Sequence, residues 1–150
     1  MTASLTEQVQ ALRCLPLFAD IELSKLKLLA FTSEPMRFAD GDVLFHQDDP
    51  SHDAHVIMNG RVDLVVDTAG GPFHLSSHVG NGIVGEIGIL CGRTRIGSAV
   101  AVGEVSTLRI GRDAFFRLME EFPQIAVPML RDLALRLDLT TRELSRRNRG

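Results

Sequence analysis

The chain has only two cysteines, Cys14 and Cys91, too few and too far apart for a disulfide framework or a zinc-ligand spacing. A reducing compartment, the cytoplasm, is the expectation. No run approaches the roughly 18 apolar residues of a membrane span, and the N-terminus has neither the basic start nor the apolar core of a signal peptide. Positive charge is not in excess either. Sixteen Lys and Arg stand against 19 Asp and Glu, and a net charge of -3 argues against a dedicated nucleic-acid surface. The five histidines, His46, His52, His55, His74 and His78, contain no His-x-His pair, and His74 and His78, though four apart, fall in a strand-like run rather than on a helix, so no metal site is expected. There is no nucleophile elbow and no Cys-His pair with local motif support. These absences leave no catalytic residue to name.

What is present is enough for one compact domain. At 150 residues and 45% hydrophobic content the chain can bury a real core. Ser4 and Glu7 have capping-box spacing, and Leu5, Val9 and Leu12 share a face, which predicts a first helix ending near Pro16. A second short helix fits Glu22 to Phe31. From Pro35 the pattern changes to short alternating runs: Met36–Ala39, Val43–Gln47, His55–Met58, Arg61–Asp67, Phe73–Val79, Ala99–Val102 and Val105–Ile110. Asn59-Gly60 reads as a tight hairpin turn and Gly70-Gly71-Pro72 as a looser one. Such spacing predicts a barrel, sandwich or jelly roll. The expected organisation is a helical lead over 1–34, a β region over 35–111 and C-terminal helices over 112–150.

One loop concentrates the chemistry. Gly85 to Ser98 reads Gly-Glu-Ile-Gly-Ile-Leu-Cys-Gly-Arg-Thr-Arg-Ile-Gly-Ser. Gly85 and Gly88 permit close backbone approach, and the Glu86-Ile87-Gly88-Ile89-Leu90 run predicts a helical turn whose first amides face an anion. Arg95 brings a permanent charge that forks onto two phosphate oxygens. Glu86 can only accept, which suits a sugar hydroxyl. A Gly-Glu pair alone is ordinary turn chemistry; joined to Arg95 it makes a site for a cyclic phosphate ester.

This segment resembles the phosphate-binding cassette of the cyclic nucleotide-binding domain family, which runs Gly-Glu, aliphatic residues, then Arg followed by small residues. Leu15-Pro16-Leu17-Phe18, Gly41-Asp42-Val43-Leu44-Phe45 and Val56-Ile57-Met58-Asn59-Gly60-Arg61-Val62 are similar to the family's entry, early strand and hairpin. Asp48 stands where a glycine is usual, His55 where a tyrosine is common, and Ile96 where Ala, Ser or Thr follows the arginine. The resemblance implies a mainly β fold with flanking helices: an eight-stranded β-roll, or jelly roll, with the cassette at 84–98 and helices after it. It implies a cyclic nucleotide as ligand, cyclic AMP before cyclic GMP, with no other cofactor. The binding residues it implies are Val84, Gly85, Glu86, Ile87, Gly88, Arg95, Ile96 and Ser98. A hydroxyl after the arginine meets the guanine amino group in members that prefer cyclic GMP, and Ile96 lacks it.

The last third carries a heptad seam of Ala126, Leu130, Leu133, Leu137, Thr140 and Leu144, with Pro128 marking either the start or a bend of the helix. So short a seam either packs on its own domain or pairs with a second copy. Arg136 to Leu144 is similar to the dimer helix of bacterial catabolite activators, which implies a homodimer and roles for Thr140 and Thr141 at the adenine. The chain stops at Gly150, before the point where a DNA-binding motif follows in transcription factors of this family. The effector is therefore expected to be another chain or a fused domain. Two rival readings remain at this stage, a degenerate β-roll serving only as an interaction module and a cupin-like metalloenzyme.

Overall fold

The computed structural model describes residues 4–15, 18–80 and 82–149, with the side chain of Arg149 left aside. It divides after Phe116 into two compact units. The first opens with α1 (Leu5–Cys14), whose N-cap Ser4 accepts from the Glu7 amide at 3.2 Å and whose Val9 and Leu12 are buried. The predicted cap is present, and of the predicted face Val9 and Leu12 are buried while Leu5 is exposed. The helix stops at Cys14; the expected terminator Pro16, with Leu17, lies outside the described residues. α2 (Leu23–Thr32) follows, burying Leu26, Leu29 and Ala30.

Six strands form one antiparallel sheet among the described residues. They are β1 (Glu34–Phe38), β2 (Val43–Phe45), β3 (Asp53–Thr68), β4 (Gly71–Val79), β5 (Ile83–Val84) and β6 (Ser98–Gly111). The order is β1-β6-β3-β4, with β2 also on β6 and β5 also on β3. Phe45, Ile57, Val62, Leu64, Val84, Ala99, Ala101 and Val105 form a buried core, with Phe38 and Leu44 packed against it. This is the mainly β architecture with flanking helices that the resemblance implied.

Asn59-Gly60 is not a hairpin. β3 runs through it, because both halves find partners on β6: Val56 pairs with Leu108 before the site and Val62 with Ala101 after it. The register slips around Asn59, Gly60 has φ +99°, and a Cβ there would run into the carbonyl oxygen of Glu104. The glycine marks a bulge where two strands approach closely. Ala99–Val102 and Val105–Ile110 are likewise one strand, kinked where Gly103 takes φ +73°. Counting the halves of the two kinked strands separately gives the eight that the resemblance implied. The Gly70-Gly71 turn is present between β3 and β4, and Gly71, the first residue of β4, takes φ +108°.

Two more helices follow, α4 (Arg112–Glu121), which crosses the division, and α5 (Pro123–Arg149). α5 begins at Pro123, a favoured first position, and continues through Pro128. On its outer faces Arg136 reaches Asp132 at 2.7 Å, Arg142 reaches Asp138 at 2.9 Å and Arg147 reaches Glu143 at 3.6 Å, each one turn apart. Its seam is largely in solvent: Leu130 is 63% exposed, Leu137 68% and Leu144 57%.

Candidate functional site

β5 delivers the chain to Gly85, where it turns through φ +94° into α3 (Glu86–Cys91). Only glycine fits here. A Cβ would sit 2.9 Å from Arg95 Nη1, 3.1 Å from the Asp53 carbonyl and 3.2 Å from the Phe45 ring. At Gly88 a Cβ would strike the Ser51 hydroxyl, which itself donates to the Arg93 carbonyl at 2.6 Å. The predicted helical turn is therefore present, and the close approach at both glycines is made by the protein's own groups. Gly92 closes α3 in the left-handed region, its amide directed at the carbonyls of Gly88 and Ile89.

The returning segment is stitched to the loop before β3. The Asp48 amide donates to the Arg95 carbonyl at 2.9 Å, and the Arg95 amide donates to the Asp49 carbonyl at 2.8 Å. Asp48 takes φ +71°, a conformation glycine adopts without penalty, which explains why a glycine is usual there. The Ser98 hydroxyl accepts from the Gln47 amide at 2.9 Å, so it braces the loop.

Arg95 is the centre of the site. Its side chain is 3% exposed and its guanidinium lies 4.0 Å over the Phe45 ring. Nη1 donates to the Gly85 carbonyl at 2.8 Å; Nη2 donates to the Asp53 carbonyl at 2.6 Å and to Asp53 Oδ1 at 2.7 Å. Nε is buried with no acceptor among the described residues. Burial pulls the arginine below its ordinary pKa and the Asp53 charge opposes that pull; a guanidinium stays charged throughout. The other oxygen of Asp53 accepts from Arg109 Nε at 2.6 Å, and Arg109 also lies 3.5 Å from Glu34.

Beside this pair His55 is 1% exposed, with Nδ1 3.0 Å from the Thr107 hydroxyl and its ring edge-on to Phe38. Burial drives its pKa down to about 4 against the pull of Asp53. It is a neutral histidine near neutral pH.

The structure thus brings Val84, Gly85, Glu86, Ile87, Gly88, Arg95, Ile96 and Ser98 into one corner of the first unit, with Val84 and Glu86 buried and Ile96 62% exposed. Thr140 and Thr141 lie on the exposed surface of α5 in the second unit, and Thr141 donates back to the Leu137 carbonyl at 2.8 Å. Sequence reasoning missed Phe45, Ser51, Asp53 and Arg109. A single carboxylate or arginine on a strand has no local partner to mark it. A cavity of about 510 Å³ lies elsewhere, lined by Glu7, Met36, Arg37, Met58, Asn59 and Leu108 among others, and includes no cassette residue. Among the described residues, no helix is long and apolar enough to cross a membrane.

Known proteins are similar to this chain in sequence and fold. The family profile described as cyclic nucleotide-binding domain matches residues 35–122. The chain is 31% identical over 102 residues to a cAMP-dependent protein kinase regulatory subunit from Dictyostelium discoideum, covering 65% of this chain and 31% of that protein. It is 29% identical over 108 residues to the lysophospholipase NTE1 of Chaetomium globosum, covering 71% of this chain and 7% of that enzyme. It therefore spans a small fraction of these relatives. The crystal structure of Thermus thermophilus catabolite activator protein superposes with a TM-score of 0.75 at 26% identity, covering 87% of this chain and 62% of that one. With the cassette, the roll and the profile match in agreement, the chain belongs to the cyclic nucleotide-binding domain family.

Proposed function

We propose that the chain is a cyclic AMP receptor whose occupancy is relayed to an effector. The observation that carries this reading is the buried Arg95 guanidinium: three hydrogen bonds fix it in place, yet among the described residues Nε has no acceptor. A phosphate oxygen would satisfy a donor that otherwise costs about 1–3 kcal/mol to leave unpaired. The first amides of α3 face the same anion, and Glu86 accepts from a ribose hydroxyl.

Ile96 sets the base preference. It offers nothing to the guanine amino group, so adenine is favoured. α5 supplies Thr140 and Thr141 to the base and moves with occupancy, so that ligand binding biases a two-state element. Its exposed leucine stripe pairs with that of a second copy, and the sensor acts on another chain or a fused domain rather than through chemistry of its own. In this reading the helical lead, roll and last helices work as one sensor.

Titration calorimetry with cyclic AMP tests it directly. Saturable one-site binding is expected, accompanied by a rise in melting temperature, since a ligand that binds only the native state must stabilise it. If neither cyclic AMP nor cyclic GMP gives heat or a thermal shift, the roll is an interaction module and the receptor reading fails.

A further inference from the structure

Arg95 carries a feature that the receptor reading uses without explaining. Buried polar groups almost always find partners, and arginine with a carboxylate readily forms a two-pronged pair in which Nε and one Nη each hold one oxygen. Arg95 has such a carboxylate against it, since Asp53 Oδ1 lies 2.7 Å from Nη2. Yet the pair is single-pronged and Nε is left over.

The reason lies on the neighbouring strand. Asp53 Oδ2 accepts from Nε of Arg109 at 2.6 Å, so the two oxygens of one carboxylate are divided between two arginines. An aspartate carboxylate turns freely about its last torsion. Arg109 is what stops that turn. It is set on β6 directly opposite Glu34 of β1 and His55 of β3. Its Nη1 lies 3.5 Å from Glu34 Oε2, which orients the guanidinium from its solvent side. His55, neutral and 3.8 Å from Asp53 Oδ1, does not compete for the carboxylate as a cation would.

The geometry points to Arg109 as a positioning residue for the phosphate site: by holding Asp53 Oδ2 it keeps Asp53 single-pronged on Arg95 and so keeps Arg95 Nε free for the ligand. Without Arg109, Oδ2 swings to Nε, the fork closes, and the phosphate must displace a carboxylate already seated on the donors it needs. Arg109 itself need not touch the nucleotide. The inference rests on the receptor reading for its effect on affinity, and on the ligand-free protein alone for its effect on Arg95.

Two measurements separate these dependencies. In the ligand-free protein, NMR of the Arg95 Nε–H in Arg109→Gln should show a downfield shift and slower exchange with solvent, as Nε gains an acceptor. Arg109→Lys, which keeps a cation on Oδ2, should restore the parent signal. In calorimetry with cyclic AMP, Arg109→Gln should bind about 3- to 10-fold more weakly, with Arg109→Lys recovering most of the loss, the scale expected for a charge acting through another group. In an Asp53→Asn background, where no charged fork can close, Arg109→Gln should change affinity less than about 2-fold. An unchanged Arg95 Nε signal in Arg109→Gln overturns the inference, as does an equal loss of affinity in both backgrounds. Should the parent bind no cyclic nucleotide, the receptor reading falls and the Arg95 Nε signal still decides whether Arg109 holds the fork open.

Discussion

The cassette corner and the last helix treat their demanding groups in opposite ways. In the corner, charges that water would welcome are buried: Arg95 is 3% exposed, and its partners Asp53, the Gly85 carbonyl and the Phe45 ring come from three other stretches of chain. On α5, apolar groups that water rejects are exposed, Leu130, Leu137 and Leu144 one heptad apart, while Arg136, Arg142 and Arg147 each pair with a carboxylate one turn away on the same helix. The corner is nearly complete within one unit of the fold, with Arg95 Nε the buried side-chain group left over among the described residues. The helix pairs several of its charges locally and leaves leucines in water. Among the described residues each region leaves one kind of group unmatched, a buried donor at the corner and apolar side chains along the helix.

The largest effect should come from removing the centre of the corner. Arg95→Ala deletes a desolvated charge–phosphate contact, so cyclic AMP affinity should fall by about 2–5 kcal/mol, on the order of 30-fold to several thousand-fold. Arg95→Lys should recover part of this, since the ammonium keeps the charge and loses the fork. Calorimetry on both variants reads the result, and unchanged affinity in Arg95→Ala places the phosphate elsewhere. Folding should suffer less, because Asp53 keeps Arg109 as a partner.

The corner should also make stability depend on pH through His55. Its folded pKa is lowered to about 4 by burial, below the unfolded value of 6.5. Between those values the unfolded chain binds the proton and the folded chain does not, so acidification favours unfolding. The stability held above pH 6.5 should decline as pH falls toward 4, by about 2 kcal/mol at pH 5. Urea unfolding at pH 7 and pH 5 measures it. In His55→Gln the decline should shrink by that amount; an equal decline in both proteins would clear His55 of the role.

These particulars also mark what a sequence can disclose. The cassette was legible because its spacing is local: Gly85, Glu86, Gly88 and Arg95 lie within a single loop, and the structure keeps them in one corner. So was the cap at Ser4, where donor and acceptor are three residues apart. The strand reading failed where the deciding contact was remote. Asn59-Gly60 carries the local signature of a turn and does hold a positive φ, but its geometry is set by the Glu104 carbonyl facing Gly60 across β6. Asp53 and Arg109 were invisible for the same reason, since they meet Arg95 only once β3 and β6 are paired. His55 was noticed as a departure from tyrosine; its burial and its bond to Thr107 were not.

If Leu130, Leu137 and Leu144 pair across two copies, Leu137→Glu sets like charges against each other at the middle of the seam. Dimer affinity should then fall by about 10- to 100-fold, as expected for a desolvated, unpaired charge. The substitution sits at a residue 68% exposed, so the subunit's own melting temperature should barely move. Sedimentation of parent and variant with saturating cyclic AMP separates the cases, and a parent that sediments as a monomer ends the dimer proposal.

The smallest effect concerns the base. Ile96 is 62% exposed in the ligand-free protein and follows Arg95 directly, where a hydroxyl would accept from the guanine amino group. An aliphatic side chain cannot accept, and a fully buried amino group left unpaired would cost about 1–3 kcal/mol. The exposure of Ile96 argues for the low end, because water can serve part of what the side chain does not. Ile96→Thr should therefore raise affinity for cyclic GMP relative to cyclic AMP by about 5-fold, close to 1 kcal/mol, with little change in cyclic AMP binding itself. Competition titrations of both nucleotides on parent and variant provide the ratio. A parent that already prefers cyclic GMP would overturn the adenine assignment, whereas a parent that prefers cyclic AMP and a variant whose ratio does not move would show that the base is read by other residues, with Thr140 and Thr141 on α5 the next to substitute.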